Sequence, residues 1–371
     1  MIKKIVLILA FALCLIIPIS AEETDIYKEQ FNASGMGELE SQIPDSAKDF
    51  LDDFSIDLDD SNWVNNLKSE NAIKHIVGFI KSGASAPLKT LGIILALIIL
   101  SAVITTAVKD NMTETVTFAT VLAVGAALLT PIYSVITATV DALYGCALFM
   151  TSFVPIFAGI IAASGKPLTS ASMSGVLLLS ANFVSFIANS AVIPLMGGHL
   201  SLSIAASISP LIQNTNLAGT VKKFSLWIMG FVSTVFIGIL SIQTAVNSSA
   251  DSLSLRTAKF IVGSTVPVAG GVLSEALSTV TASLTLLKSS VGIWGVLICA
   301  VAFLPIILEL LIWRFGLWGL SFLSDALCIP KISALLKSVD SVLSVLVGIV
   351  LLSAALFIIS LTVVIIGGKS V

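Results

Sequence analysis

Charge is scarce in this sequence, and unevenly so. Asp, Glu, Lys and Arg make up 11% of the 371 residues, against about 25% in an ordinary soluble domain. Residues 22–86 hold 14 of the 22 acidic side chains and 5 basic ones. Residues 87–371 hold the other 8 acidic side chains and 12 basic ones. No basic cluster is large enough to track a phosphate backbone, which excludes nucleic acid as a partner. Histidine is nearly absent. His75 and His199 are the two in the chain, and neither has a ligand neighbour at helical spacing. The four cysteines, Cys14, Cys146, Cys299 and Cys328, are too scattered for a disulfide framework or a zinc site and read as small packing residues.

The motifs of covalent chemistry are missing too. There is no G-x-S-x-G elbow, and no serine stands three residues before a lysine. Gly165-Lys166 is faintly like a phosphate loop, but Gly159 is one residue too distant. Pro167 also stands where a magnesium-binding hydroxyl is needed. A cytosolic turn between two spans is the better reading. Asp57, Asp59 and Asp60 lack the glycine of a calcium loop and read as a solvated acidic face. Nothing here points to an enzyme, a metal or a cofactor.

What the sequence does have is apolar length: 56% of its residues are hydrophobic. The first 21 read as a cleavable export signal. Lys3 and Lys4 lead a short apolar run, and Pro18-Ile19-Ser20-Ala21 breaks it at a small residue. An uncleaved anchor helix is the alternative. Either way, residues 22–86 form an acidic, extracytoplasmic helical segment. Pro44-Asp45-Ser46 starts its first helix, with Asp45 or Ser46 as the cap. Ala47, Phe50, Leu51 and Phe54 then share one face. A core this small is marginal, so Phe50 and Phe54 are candidates for docking on a partner or on the membrane domain.

Residues 87–371 form a polytopic membrane domain, so the fold class is all-α. A span takes about 20 apolar residues, and seven windows meet this: 88–108, 115–138, 142–164, 171–196, 224–246, 289–313 and 341–367. Trp227 and Trp294 sit where indole rings straddle a bilayer interface. Residues 200–213, broken by Pro210, and 260–287, broken by Pro267, Gly270 and Gly271, each fit a span or a re-entrant segment. The Lys and Arg balance weakly favours one extra helix, for seven to eight spans. Residues 331–339 read as an interfacial helix, with Ile332, Leu335, Leu336 and Val339 on one face. Residues 153–159 and 265–270 share a faint proline–glycine echo, for which a chance match among so many Val, Ala and Gly residues is the better reading; the alternative is a repeat with broken helices in corresponding positions.

Ionisable residues within apolar stretches are costly and mark function. Glu275 is the clearest case; Glu309 lies near a span end and Asp141 at a helix junction. Pro267 removes a backbone donor and Gly270-Gly271 loosen the helix. Together with Glu275 they form a candidate re-entrant or pore-lining segment. Asp251, Arg256 and Lys259 supply charge at its mouth, on a polar loop over 247–259.

Three segments carry a family resemblance. They are PDSAKDFL from Pro44, PLKTLG from Pro87, and SIQTAVNSSADSLSLRTAKFIVGSTVPVAGGVLSEA from Ser241 to Ala276. On these the chain resembles the stage III sporulation protein AE family of endospore-forming bacteria, over nearly all of the mature sequence and least in its last third. The resemblance implies a non-enzymatic, multi-pass subunit in the mother-cell membrane around the forespore. It also implies a channel or export complex with other stage III sporulation A operon proteins, meeting stage II sporulation protein Q between the membranes. It supplies no catalytic residues. The alternative is a self-sufficient secondary transporter of a small solute.

Overall fold

The computed structural model describes residues 39, 41–44, 47–48, 69–108, 110–208, 217–265 and 270–367. The expected signal, Phe50, Phe54 and Pro267 lie outside these. The described elements are helical: α1 (Ser69–Ala107), α2 (Asp110–Ala163), α3 (Pro167–Phe186), a π-helical turn (Ile187–Val192), α4 (Ile193–Ile208), α5 (Leu217–Thr265), α6 (Gly270–Ala326) and α7 (Pro330–Gly367). Six stretches are long and apolar enough to cross a membrane: Ala84–Ala107, Met112–Ala163, Pro167–Ala205, Lys223–Thr257, Ser278–Ala326 and Pro330–Ile366. The chain is an all-α, multi-pass membrane protein.

Helices run through several positions where the sequence predicts breaks. The windows 115–138 and 142–164 are one helix, α2, which passes through Asp141 unbroken. One polar residue flanked by good helix formers is no terminator. The 54 residues of α2 reach about 81 Å, roughly twice a bilayer with its headgroups. The boundary at residue 86 falls inside α1, which continues through Pro87. Pro155 likewise sits within α2, so residues 153–159 form no break. Residues 200–208 continue α3 by way of the π turn and α4. Pro194 explains the π turn. It has no N–H for the Ser190 carbonyl, and the wider register re-pairs the backbone just before it.

The expected loop over 247–259 is helical, inside α5. Its polarity misleads because the hydroxyls bond within the helix. Ser249, Ser252, Ser254 and Thr257 each donate to the carbonyl four residues back, at 2.8–3.1 Å. The expected interfacial helix over 331–339 is the start of α7. Ile332, Leu335, Leu336 and Val339 are fully buried in the bundle. Lys331 pairs with Glu114 at 3.1 Å and Lys337 with Asp325 at 2.8 Å. Arg314 grips Asp340 through Nε and Nη2 at 2.8 and 3.3 Å.

The centre of the bundle is aromatic. Phe149, Phe153 and Phe157 stack along α2 with ring centroids 5.4 and 5.2 Å apart, and Trp294 of α6 meets Phe149 edge-on at 5.8 Å. Trp294 and Trp313 are thus core residues, 1% and 2% exposed, and belong to no interfacial belt. Trp227 does face outward, stacked on Phe231. Gly292 and Gly295 admit the ladder: a Cβ at Gly295 would lie 2.5 Å from the Phe153 ring. Small residues let helices approach this closely in membranes. The register is antiparallel, with Gly295 beside Phe153 and Gly292 beside Phe157.

Two hairpin turns share one construction. At the end of α2, the Gly165 N–H bonds to the Ala162 carbonyl and Lys166 N–H to that of Ile161. At the end of α6, Cys328 N–H bonds to Asp325 and Ile329 N–H to Ser324. Both are Schellman closures, which need a left-handed residue; Gly165 has φ 87° and Cys328 φ 60°. Each is followed by one residue and then a proline that opens the next helix. Because α2 and α6 are antiparallel, the two turns lie at opposite ends of the bundle.

Candidate functional site

The candidate functional stretch, the charges over 247–259 with the broken segment over 260–287, falls into two parts. Its second part contains the junction of α5, ending at Thr265, with α6, starting at Gly270. Gly270 and Gly271 open α6 and Glu275 lies in its second turn; the described side chains do not include Glu275 or Lys259. Arg256 lies on α5 and is exposed. All three charges lie on one helix, with Asp251 buried and Arg256 exposed.

The first part is a polar latch. Asn247, Asp251 and Leu255 stand four residues apart on one face of α5 and seat the α2–α3 turn. The N–H groups of Leu168 and Thr169 donate to the two oxygens of Asp251 at 3.1 and 2.8 Å. Asn247 Nδ2 donates to Ser172 Oγ at 2.8 Å. The Leu255 side chain covers Gly165, 3.2 Å from where a Cβ would stand. The N-cap residue of α3, Lys166, makes no side-chain cap of its own. Asp251 therefore caps α3 from another helix and complements the positive end of its dipole. Lys166 is buried in the same turn. Burial pulls its pKa below the ordinary lysine value, and the Asp251 carboxylate pulls part of the way back.

Chemically the latch is closed. A phosphate would need the N–H groups that open α3, and a carboxylate of this chain already holds them. The resemblance to a phosphate loop at Gly165-Lys166 therefore has no anion seat behind it. From sequence alone Asp251 reads as a mouth charge. The signal that could have relocated it was the Asn247–Asp251–Leu255 spacing, whose partner turn lies 82–83 residues earlier. Among the described residues no group of three or more His, Cys, Asp or Glu could hold a metal ion.

The family model described as stage III sporulation protein AE matches residues 59–368. The stage III sporulation protein AE of Bacillus subtilis (strain 168) is 33% identical over 157 residues, covering 42% of this chain and 39% of that relative. The chain thus spans about two fifths of the length of the curated relative it matches. No solved structure matches. With long apolar helices through most of its described length and a family match over residues 59–368, the chain belongs to the stage III sporulation protein AE family.

Proposed function

We propose that the chain is a non-enzymatic membrane subunit of a channel or export complex that links mother cell and forespore during sporulation. The observation that carries this reading is the family match across residues 59–368. The chain sits in the mother-cell membrane around the forespore. Its partners are other stage III sporulation A operon proteins and, through the complex, stage II sporulation protein Q. Residues 1–21 are a signal removed near Ala21, residues 22–86 a docking segment outside the cytoplasm, and residues 87–371 the membrane domain. Affinity purification of a tagged chain from sporulating cells tests the assembly. Recovery of those operon proteins is expected, and a chain that always purifies alone would sink the proposal. Phe50→Asp with Phe54→Asp should abolish that recovery while membrane insertion persists.

The junction after α5 is proposed to border the conduit. Pro267, Gly270 and Gly271 weaken the helix there, and Glu275 follows within about one turn of α6. Such a break needs water or protein partners at membrane depth. Cysteine scanning over 266–278 with a membrane-impermeant thiol reagent tests this. Protection of the whole run, with normal sporulation by Glu275→Leu, would reduce the segment to a structural junction.

One observation favours a second reading, a self-sufficient transporter. The matched turns at opposite ends of the bundle are the pattern of inverted repeats. Ion-coupled solute uptake by proteoliposomes containing this chain alone would select that reading over the first.

A further inference from the structure

We propose that a groove between α2 and α6 binds a small organic cation where two inverted copies of one hairpin unit cross. The two turns correspond at several positions. Pro330 follows Pro167 by 163 positions. The same interval separates Cys328 from Gly165, the left-handed residues of the two turns. It also separates Ser333 from Ser170, and each of these hydroxyls meets the residue twelve positions earlier: Ser170 donates to the Ala158 carbonyl at 2.6 Å, and Ser333 lies 3.1 Å from Ser321 Oγ. The second helices have 54 and 57 residues. The segments after the turns run over 167–208 and 330–367. The first helices break the symmetry, since α1 packs on α2 and α6 whereas α5 packs mainly on α7 and α3 and less on α6.

The groove lies at the crossing. Ala142 and Pro305, again 163 positions apart, both line it. Its volume is about 510 Å³. A short strip of the N-terminal segment closes one side: Leu39, Ile43 and Ala47 are buried, and Pro44 packs on Gly145. The α2 wall is Ala138, Asp141, Ala142 and Gly145, and the α6 wall is Ala302, Pro305, Ile306 and Glu309. Each wall has the i, i+3, i+4, i+7 spacing of one helix face. The contact of Met150 Sδ with Cys299 Sγ at 3.7 Å sets the register. Nine residues back from Met150 is Asp141, and ten residues on from Cys299 is Glu309, so the two carboxylates are level to about 1.5 Å of rise.

The position within α2 adds to the case. Asp141 stands about 44 Å from Met112 and about 33 Å from Ala163 along the helix. Its side chain is exposed to the groove, where a ligand can reach it. Sites in proteins of inverted repeats form at the repeat interface, near the middle of the bundle. Two carboxylates and the Lys48 ammonium line the groove, which favours a cation. Apart from Ser41 and Gln42, the rest of the lining is apolar, from alanine, proline, isoleucine, Leu148 and Gly145, so the cation carries an apolar body. A bare metal ion needs a tight cage of oxygens and would leave most of this volume empty.

The test is calorimetric titration of the full chain in lipid nanodiscs with hexylammonium, hexanol, hexanoate and sodium ion. Saturable binding of hexylammonium alone is expected, weakened at least tenfold by Asp141→Asn with Glu309→Gln. Equal binding of hexanol would mean simple partition and overturn the proposal, as would unchanged affinity in the double variant or binding of sodium alone. A second measurement needs no variant. Hydrophobic carbodiimide should modify Asp141 and Glu309 in the wild-type chain, read by peptide mass spectrometry. Hexylammonium should protect both, and modification at the same rate with and without it would end the idea.

Discussion

The Asp251 carboxylate accepts two backbone N–H donors at the start of α3, and both lose their partner when it is removed. Hydrogen bonds to a charged group contribute about 1.5–3 kcal/mol each, and leaving buried donors unmet is costly. Asp251→Ala should therefore destabilise the bundle by about 2–4 kcal/mol, and Asp251→Asn by less, since it keeps one acceptor oxygen. Denaturant unfolding in detergent micelles measures both, and equal losses would contradict a capping role. At the opposite turn, Cys328 holds φ 60°, where an L side chain is strained by about 1–2 kcal/mol. Cys328→Gly should raise stability by about 0.5–1 kcal/mol in the same assay, the strain relief less the unfolded-state entropy of glycine.

Among the elements, the α2–α6 crossing depends on glycine more than on any polar contact. Gly295→Ala places a Cβ 2.5 Å from the Phe153 ring, which is held between Phe149 and Phe157. Such overpacking costs about 1–3 kcal/mol. Gly175 is the control: a Cβ there meets nothing within 4 Å, so Gly175→Ala should stabilise α3 by about 0.5–1 kcal/mol. Thermal melts should separate the two substitutions in sign. The helices themselves were legible from apolar length, because every window falls on helical backbone to within a residue of its ends. Their ends were not. Serine and threonine in 247–259 looked like loop formers, yet their hydroxyls bond the carbonyls of their own helix. Asp141 looked like a junction, and one carboxylate does not stop a helix whose backbone bonds are all made.

At the scale of the whole molecule, inversion of the two hairpins has a topological consequence. Cys328 is exposed, while Cys146 and Cys299 are buried. A membrane-impermeant maleimide should label Cys328 from one side of sealed vesicles. In a Cys328→Ser background, Leu168→Cys at the other turn, where Leu168 is exposed, should label from the opposite side. Labelling of both from one side would contradict the inversion.

Apolar length and scarce charge, summed along the chain, were enough to determine an all-helical membrane protein, and a motif-length resemblance was enough to place its family. Both are properties of local sequence, since insertion depends on hydrophobicity per segment. Which residues meet was decided only by tertiary structure. The latch joins Asp251 to a turn 82–83 residues away, and the groove joins Asp141 to Glu309 through an antiparallel crossing set by two glycines and an aromatic ladder. Such pairings arise from the three-dimensional register of packed helices, which no periodicity within a single helix encodes.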